Sequence, residues 1–273
     1  MFLLNPIPQS IAWDLFPPQF SKNWILGLDG KWLRRKGVVM IYRNITDSCD
    51  LWWNLWPSES YLALITDLQE IYFHCQLSFP RGVVSDWKGS IVNGINICFG
   101  GIPHQRCLAH VSRDVRSLLA KSSPILGTRQ LRQVGLGISQ IKSDLDRKDW
   151  QLWLACWEVF YGYLLTKKSY PVNLETSKRK WWYTHSNIRR AFRILSKDQN
   201  CLFEYLSHQN LPSTNNSLEG LNSDVKTKLA NHRGMKYWQQ YCFIQWYLIF
   251  KKVKKPFDLK RLWDIWKKLN NKK

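Results

Sequence analysis

The sequence has no run of about 18 uncharged apolar residues, the length a membrane-spanning helix needs. Its longest apolar candidate, Tyr237 to Phe250, is interrupted by Gln239, Gln240 and Gln245. A secretory signal is equally missing, since only Phe2-Leu3-Leu4 stand before Asn5 and Pro6. The seven cysteines are odd in number and follow no framework spacing, which points to free thiols in a reducing compartment. Acidic residues are the other scarcity: 20 Asp+Glu stand against 40 Lys+Arg, a net charge of +20 over 273 residues. What is plentiful is apolar and aromatic surface. Hydrophobic residues make up 45% of the chain, with 16 Trp, 12 Phe and 11 Tyr, enough to exclude a disordered chain and to build a sizeable core of one or two domains.

A folded chain carrying this surplus repels itself, and the usual compensation is a polyanion partner. The segment 251–273 holds ten Lys/Arg and two acids. Basic clusters also recur at Lys31-Arg34-Arg35-Lys36, Lys178-Arg179-Lys180 and Arg189-Arg190. A membrane anchor concentrates its cations in one place, so this spread favours nucleic acid and a soluble protein with no membrane partner.

The first third reads as strands with one helix. Trp24 to Leu28 is a short apolar run that stops at Asp29-Gly30, a strand followed by a turn, and Val38 to Tyr42 is its β-branched hairpin partner. A third strand spans Cys49 to Trp53. Pro57-Ser58 starts a helix carrying Tyr61, Leu64, Ile65, Leu68, Ile71 and Tyr72 at three- and four-residue spacing. Gly82 to Ser85 is the next strand, ending at Asp86; a short helix over Ser90 to Cys98 and an extended stretch at Gln105 to Leu108 follow. Three strands, helix, strand, helix, strand predict a mixed sheet with helices packed on it.

From about 111 to 210 helical periodicity takes over, with Trp150, Trp153, Trp157, Phe160, Tyr161 and Leu164 as a stripe expected in a core. This segment is predicted as an all-helical insertion. After Pro212, the cluster Ser213-Thr214-Asn215-Asn216 caps a helix running to about Ala230, with Gly234 as C-cap, and Tyr237 to Phe250 forms another. The expected organisation is a leader over 1–23, a catalytic domain in two parts over 24–110 and 211–252, the insertion over 111–210, and a basic tail over 253–273.

Three carboxylates stand out. Asp29 and Asp86 each end an apolar strand, where an acid calls for a metal or a basic partner, although either alone also reads as a turn cap. Glu219 lies near the start of a helix, with Asn222 and Lys226 three and seven positions on, along the same face. Three such groups can hold two Mg²⁺ ions about 4 Å apart, the arrangement of in-line phosphoryl displacement, with Mn²⁺ as the substitute. Cys107-Leu108-Ala109-His110 has the spacing of half a zinc site whose second half is missing, so a packed thiol beside a hydrogen-bonded imidazole is the simpler reading. Trp181 and Trp182, beside Lys178 to Lys180, suit the stacking of an unpaired base.

Leu28-Asp29-Gly30, the Ser85-Asp86 strand end followed by Pro103 to His110, and the run Ser213 to Asn222 continuing through Lys226 to His232-Arg233-Gly234 look like Mutator-type insertion-sequence transposases, over residues about 24 to 250. The resemblance implies an α/β, ribonuclease H-like mixed sheet with flanking helices, interrupted by an all-helical insertion. It implies Asp29, Asp86 and Glu219 as DDE metal ligands, with Cys107, His110 and Asn222 supporting the site and Lys226 near the scissile phosphate. The implied activity is metal-dependent cleavage at transposon ends and transfer of the 3′-hydroxyl into target DNA. The alternatives are a nuclease or resolvase that does not join, or a catalytically dead DNA-binding relic. The partners expected are transposon-end and target DNA and further copies of the chain. No small-molecule substrate is expected, and the location is cytoplasmic and nucleoid-associated. Lys31, Arg34, Arg35, Lys226, Arg233, Trp181 and Trp182 are the DNA-binding candidates. Only about 23 residues precede the first strand, and they contain no Cys or His. The zinc ribbon or helix-turn-helix with which such transposases read their ends therefore has no counterpart, and end recognition is not expected of this chain alone.

Overall fold

A computed structural model describes residues 6–7, 9–17, 21–33, 36–75, 79–172, 180–232 and 234–270. The chain begins with α1 (Gln9–Leu15), β1 (Ile25–Trp32), β2 (Val38–Asn44), β3 (Cys49–Trp56), α2 (Tyr61–Cys75), β4 (Gly82–Ser85), α3 (Gly89–Phe99) and β5 (His104–Arg106). Helices α4 (Leu108–Leu118), α5 (Leu126–Gly137), α6 (Asp144–Tyr161) and α7 (Tyr163–Thr166) follow, then the short strands β6 (Lys168–Ser169) and β7 (Trp182–Tyr183), and α8 (Ser186–Ser196) and α9 (Glu204–Ser207). It ends with α10 (Asn216–Ala230), α11 (Tyr237–Phe250) and α12 (Pro256–Asn270). The five long strands form one mixed sheet in the order β3-β2-β1-β4-β5, with β1 antiparallel to β2 and parallel to β4. With its flanking helices this is an α/β architecture compatible with a ribonuclease H-like fold. Among the described residues no helix is long and apolar enough to cross a membrane.

The chain divides into two compact units, 1–104 with 215–273, and 105–214. In the first, the β-branched run of β2 is buried from Val38 to Tyr42 and lies at the centre of the core. Helix α2 buries Leu64, Leu68 and Ile71, one stripe at helical spacing. It also buries Asp67, whose carboxylate accepts from Tyr42 Oη, Trp52 Nε1, Asn54 Nδ2 and Trp56 Nε1 and so pins the helix to β2 and β3. Helix α11 is buried around most of its circumference. The segment 253–273, expected as a tail, contains α12, which buries Leu262 and packs Ile265, Trp266 and Leu269 on the same core. The leader region contains α1, with Ala12 and Trp13 buried.

The second unit is built around α4, α5, α6 and α8. Trp150 and Trp157 of α6 are buried and donate their indole N–H groups to the carbonyls of Val134 and Gly127, at 2.8 and 2.7 Å. Trp153 and Phe160 do not join that core: they are 45% and 71% exposed, because the buried stripe is Trp150, Leu154 and Trp157, and at about 100° per residue both project roughly 60–90° round the helix from its centre. The unit is not wholly helical either. β6 and β7 form a two-stranded antiparallel ribbon, too short for a periodicity signal.

Three further expectations need correction. β1 does not end at Asp29: pairing with β2 carries it to Trp32, with Asp29 opposite Ile41, and beyond it the Leu33 N–H bonds the Gly37 carbonyl. Cross-strand pairing has overridden the local turn tendency of Asp-Gly. Helix α2 is capped not by Ser58 but by Ser60, whose hydroxyl accepts from Ala63 N–H. Helix α10 ends with Asn231 as its cap, three residues before Gly234.

Candidate active site

The parallel ladder between β1 and β4 pairs Ile25 with Gly82, Leu26 with Val83 and Gly27 with Val84. Asp29 and Asp86 each stand two residues beyond that last pair, Asp29 still within β1 and Asp86 just past the end of β4. The carboxyl edge of parallel strands is where open α/β sheets usually place their ligand-binding groups.

Helix α10 covers the face of β1 that carries Gly27, Asp29 and Lys31. The approach is close. A methyl group on Gly27 would meet Asn215 Oδ1 at 2.8 Å and Ile45 at 2.7 Å, so the strand needs glycine there. Asn215, expected only as a helix cap, uses its side-chain N–H₂ to reach the Leu28 carbonyl at 3.3 Å, bonding the start of α10 to the strand. Two turns further on, Asn222 Nδ2 donates to Asp29 Oδ2 at 2.6 Å, while Asp29 Oδ1 accepts from the Gly30 N–H at 2.9 Å. Leu218, Leu221 and Val225 bury the underside of α10; Glu219 and Asn222 are half-buried beside them and Lys226 is exposed one turn on. Asn222 Oδ1 is buried without a hydrogen-bond partner. All three carboxylates belong to the first unit, but their oxygens do not all lie within 4.8 Å of one another.

Cations surround Asp29. Burial pulls the Lys31 ammonium below its usual range, the nearby Lys226 charge pulls it further, and Asp29 opposes both. Lys88 is lowered in the same way by burial, again against the pull of Asp29. Its ammonium pairs with Glu59, whose side chain is 5% exposed, and sits 5.6 Å above the Trp32 ring. Behind Asp86, the Ser85 hydroxyl donates to the Asp86 carbonyl at 2.7 Å and so accepts, at 2.8 Å, from His104, which is therefore protonated on Nε2. Burial lowers the His104 pKa to about 4 and keeps it neutral, and Trp87 packs on its ring at 4.8 Å.

Glu59, Lys88, Ser85 and His104 were not among the residues expected here. Lys88 was within reach of the sequence: Asp29-Gly30-Lys31, inside β1, and Asp86-Trp87-Lys88, just past β4, repeat one Asp-x-Lys pattern. Glu59 had no such signal, because an acid just before a helix is ordinarily there for the helix dipole.

Of the expected DNA-binding residues, Lys31 and Lys226 flank Asp29, while Arg34, Arg35 and Arg233 lie outside the described residues. Trp181 and Trp182 are exposed on the ribbon of the second unit. The Trp181 ring lies under Lys168 at 4.2 Å, and its neighbour Tyr183 lies under Arg189 at 3.9 Å. Trp182 points to the other side of the ribbon, the side of its cross-strand partner Ser169. Cys107 is buried just ahead of α4, and His110 is half-buried in the first turn of that helix.

The donors at the carboxyl edge are hard oxygens, and the orphaned Asn222 Oδ1 next to Asp29 is an oxygen that a hard cation satisfies. Oxygen donors of this kind are the ones Mg²⁺ or Mn²⁺ takes, although the three carboxylates do not close around a single point. No protein-family model matches the chain, and no curated protein matches it.

Proposed function

We propose that the chain is a Mutator-type DDE transposase, cleaving DNA at transposon ends and joining the freed 3′-hydroxyl to target DNA. The observation that carries this reading is that Asp29 and Asp86 each stand two residues beyond the Gly27–Val84 pair, with the Glu219-bearing helix bonded across β1 through Asn222 and Asn215.

In this reading Asp29, Asp86 and Glu219 would hold Mg²⁺, which when bound activates the attacking oxygen and stabilises the leaving one. Asn222 holds the Asp29 carboxylate in one orientation. Lys31 and Lys226 oppose the negative charge of the acids and draw in a phosphodiester that these would otherwise repel. Cleavage and joining use the same residues, because both are in-line displacements at phosphorus that differ only in the nucleophile. The basic surface holds the flanking duplex. Bringing two ends together calls for a second copy of the chain, and DNA binding would keep it on the nucleoid.

The test is a cleavage and joining assay on a supercoiled target with Mg²⁺, using wild type and Asp29→Ala, Asp86→Ala and Glu219→Ala. Loss of both steps with DNA binding kept is the expected result. Strand transfer retained by Glu219→Ala would overturn the assignment, and cleavage without joined products in the wild type would turn it into a nuclease.

A further inference from the structure

Backbone pairing between β1 and β4 stops at Gly27 and Val84, so it does not by itself set the separation of Asp29 and Asp86 two residues beyond. A side-chain link spans that gap. Glu59, in the connection between β3 and α2, lays its carboxylate against Gly30, occupying the space a methyl group at that position would need. Its other oxygen pairs with the ammonium of Lys88, two residues past Asp86. The same ammonium rests over the ring of Trp32, further along β1. Contacts therefore run from Gly30, next to Asp29, through Glu59 and Lys88 back to the segment carrying Asp86.

The chemistry suits a fixed support. A carboxylate that is 5% exposed requires a partner, whereas the Lys88 side chain is 45% exposed and has water as an alternative. Glu59 thus has far more to lose when the pair opens, and it holds the lysine in place. On the far side of Asp86, His104 holds Ser85, which holds the Asp86 carbonyl, so the segment is gripped from both directions.

We infer that Glu59 and Lys88 form a positioning brace that sets the distance between the part of β1 carrying Asp29 and the segment after β4 carrying Asp86. The inference rests on the proposed function for what those carboxylates do. Glu59 and Lys88 are positioning residues; neither has to touch the reacting atoms.

The brace is tested in the full chain with Glu59→Gln, Lys88→Gln, the double variant and Gly30→Ala, which keeps both charges but displaces the Glu59 carboxylate. Two readouts are taken: amide hydrogen exchange over residues 85–89, and Mn²⁺ affinity by titration. Supporting metal ligands from the second shell typically changes affinity by about 10- to 100-fold. We expect exchange over 85–89 to quicken about tenfold in each variant with α11 unchanged, Mn²⁺ affinity to fall about tenfold, and the double variant to be no worse than either single one. Unchanged exchange overturns the brace. So does wild-type Mn²⁺ affinity in Glu59→Gln when Asp29→Asn abolishes Mn²⁺ binding. If only Lys88→Gln has an effect, and on DNA affinity, Lys88 is a DNA contact and the brace is wrong. A wild-type chain without any Asp29-dependent Mn²⁺ site removes the proposed function instead, and hydrogen exchange still decides whether the pair holds the two segments.

Discussion

Asn222 donates its side-chain N–H₂ to Asp29 across 2.6 Å, joining a helix near the end of the chain to a strand near its beginning, 193 residues apart. The bond orients Asp29 and leaves the Asn222 side-chain oxygen, Oδ1, buried without a hydrogen-bond partner. Asn222→Asp places a second carboxylate against Asp29. Mn²⁺ affinity and single-turnover DNA cleavage are expected to fall about 10- to 100-fold, as for other lost ligand supports. Asn222→Gln is expected to recover part of both. Equal loss in the two variants would reduce Asn222 to a packing role.

The His104 imidazole gives stability a defined pH dependence. Its pKa lies at about 4 in the folded chain against 6.5 as the ordinary value. Between those values only the unfolded state takes up the proton. The contribution is therefore complete above about pH 6.5 and is lost as pH falls toward 4, reaching about 2 kcal/mol by pH 5. Urea unfolding at pH 7 and pH 5 measures it. His104→Gln, which can still donate to Ser85 but does not titrate, should lose correspondingly less stability over that interval.

Asp67 collects four donors inside the core, and burial pushes its carboxyl upward despite them. Asp67→Leu leaves a tyrosine hydroxyl, two indoles and an amide with no acceptor, at a cost of about 3–5 kcal/mol. Asp67→Asn keeps one acceptor oxygen and is expected to fall between Asp67→Leu and wild type. Denaturant midpoints rank the three. A neutral Asp67→Leu would mean that the network does not hold α2 to the sheet.

On the ribbon, the Trp181 face is already covered by Lys168 and the Tyr183 face by Arg189. Trp182, 43% exposed on the opposite side, is the indole left to stack on a base. Base stacking on an aromatic residue contributes about 1–3 kcal/mol. Trp182→Ala is expected to weaken binding of a labelled single-stranded oligonucleotide about 5- to 100-fold, measured by fluorescence anisotropy, while Trp181→Ala has a smaller effect. Equal affinities in wild type and Trp182→Ala would remove the ribbon from DNA binding.

Where the sequence carried long-period signals, element positions were legible. Tyr237 to Phe250 is helical throughout because apolar spacing is a local property, and α10 begins at Asn216 after the polar cluster, although Asn215 makes no side-chain cap bond there and bonds β1 instead. Asp29-Gly30 misled for the same reason. Its local tendency is a turn, yet it lies inside β1, since pairing with β2 outweighs that tendency. Trp153 looked equivalent to Trp150 and Trp157, and which side of α6 faced a partner was not encoded in the helical period.

The sequence by itself determined the chemical inventory: a surplus of cations, three separated acids in the order Asp29, Asp86, Glu219, and a face of α10 on which Glu219, Asn222 and Lys226 recur. Only the tertiary structure decided that Gly27 pairs with Val84, two residues before each aspartate, and that Glu59 and Lys88 link β1 to the segment after β4. Register and side-chain contact depend on which surfaces meet across long stretches of chain, and those contacts form only when the core closes around β1.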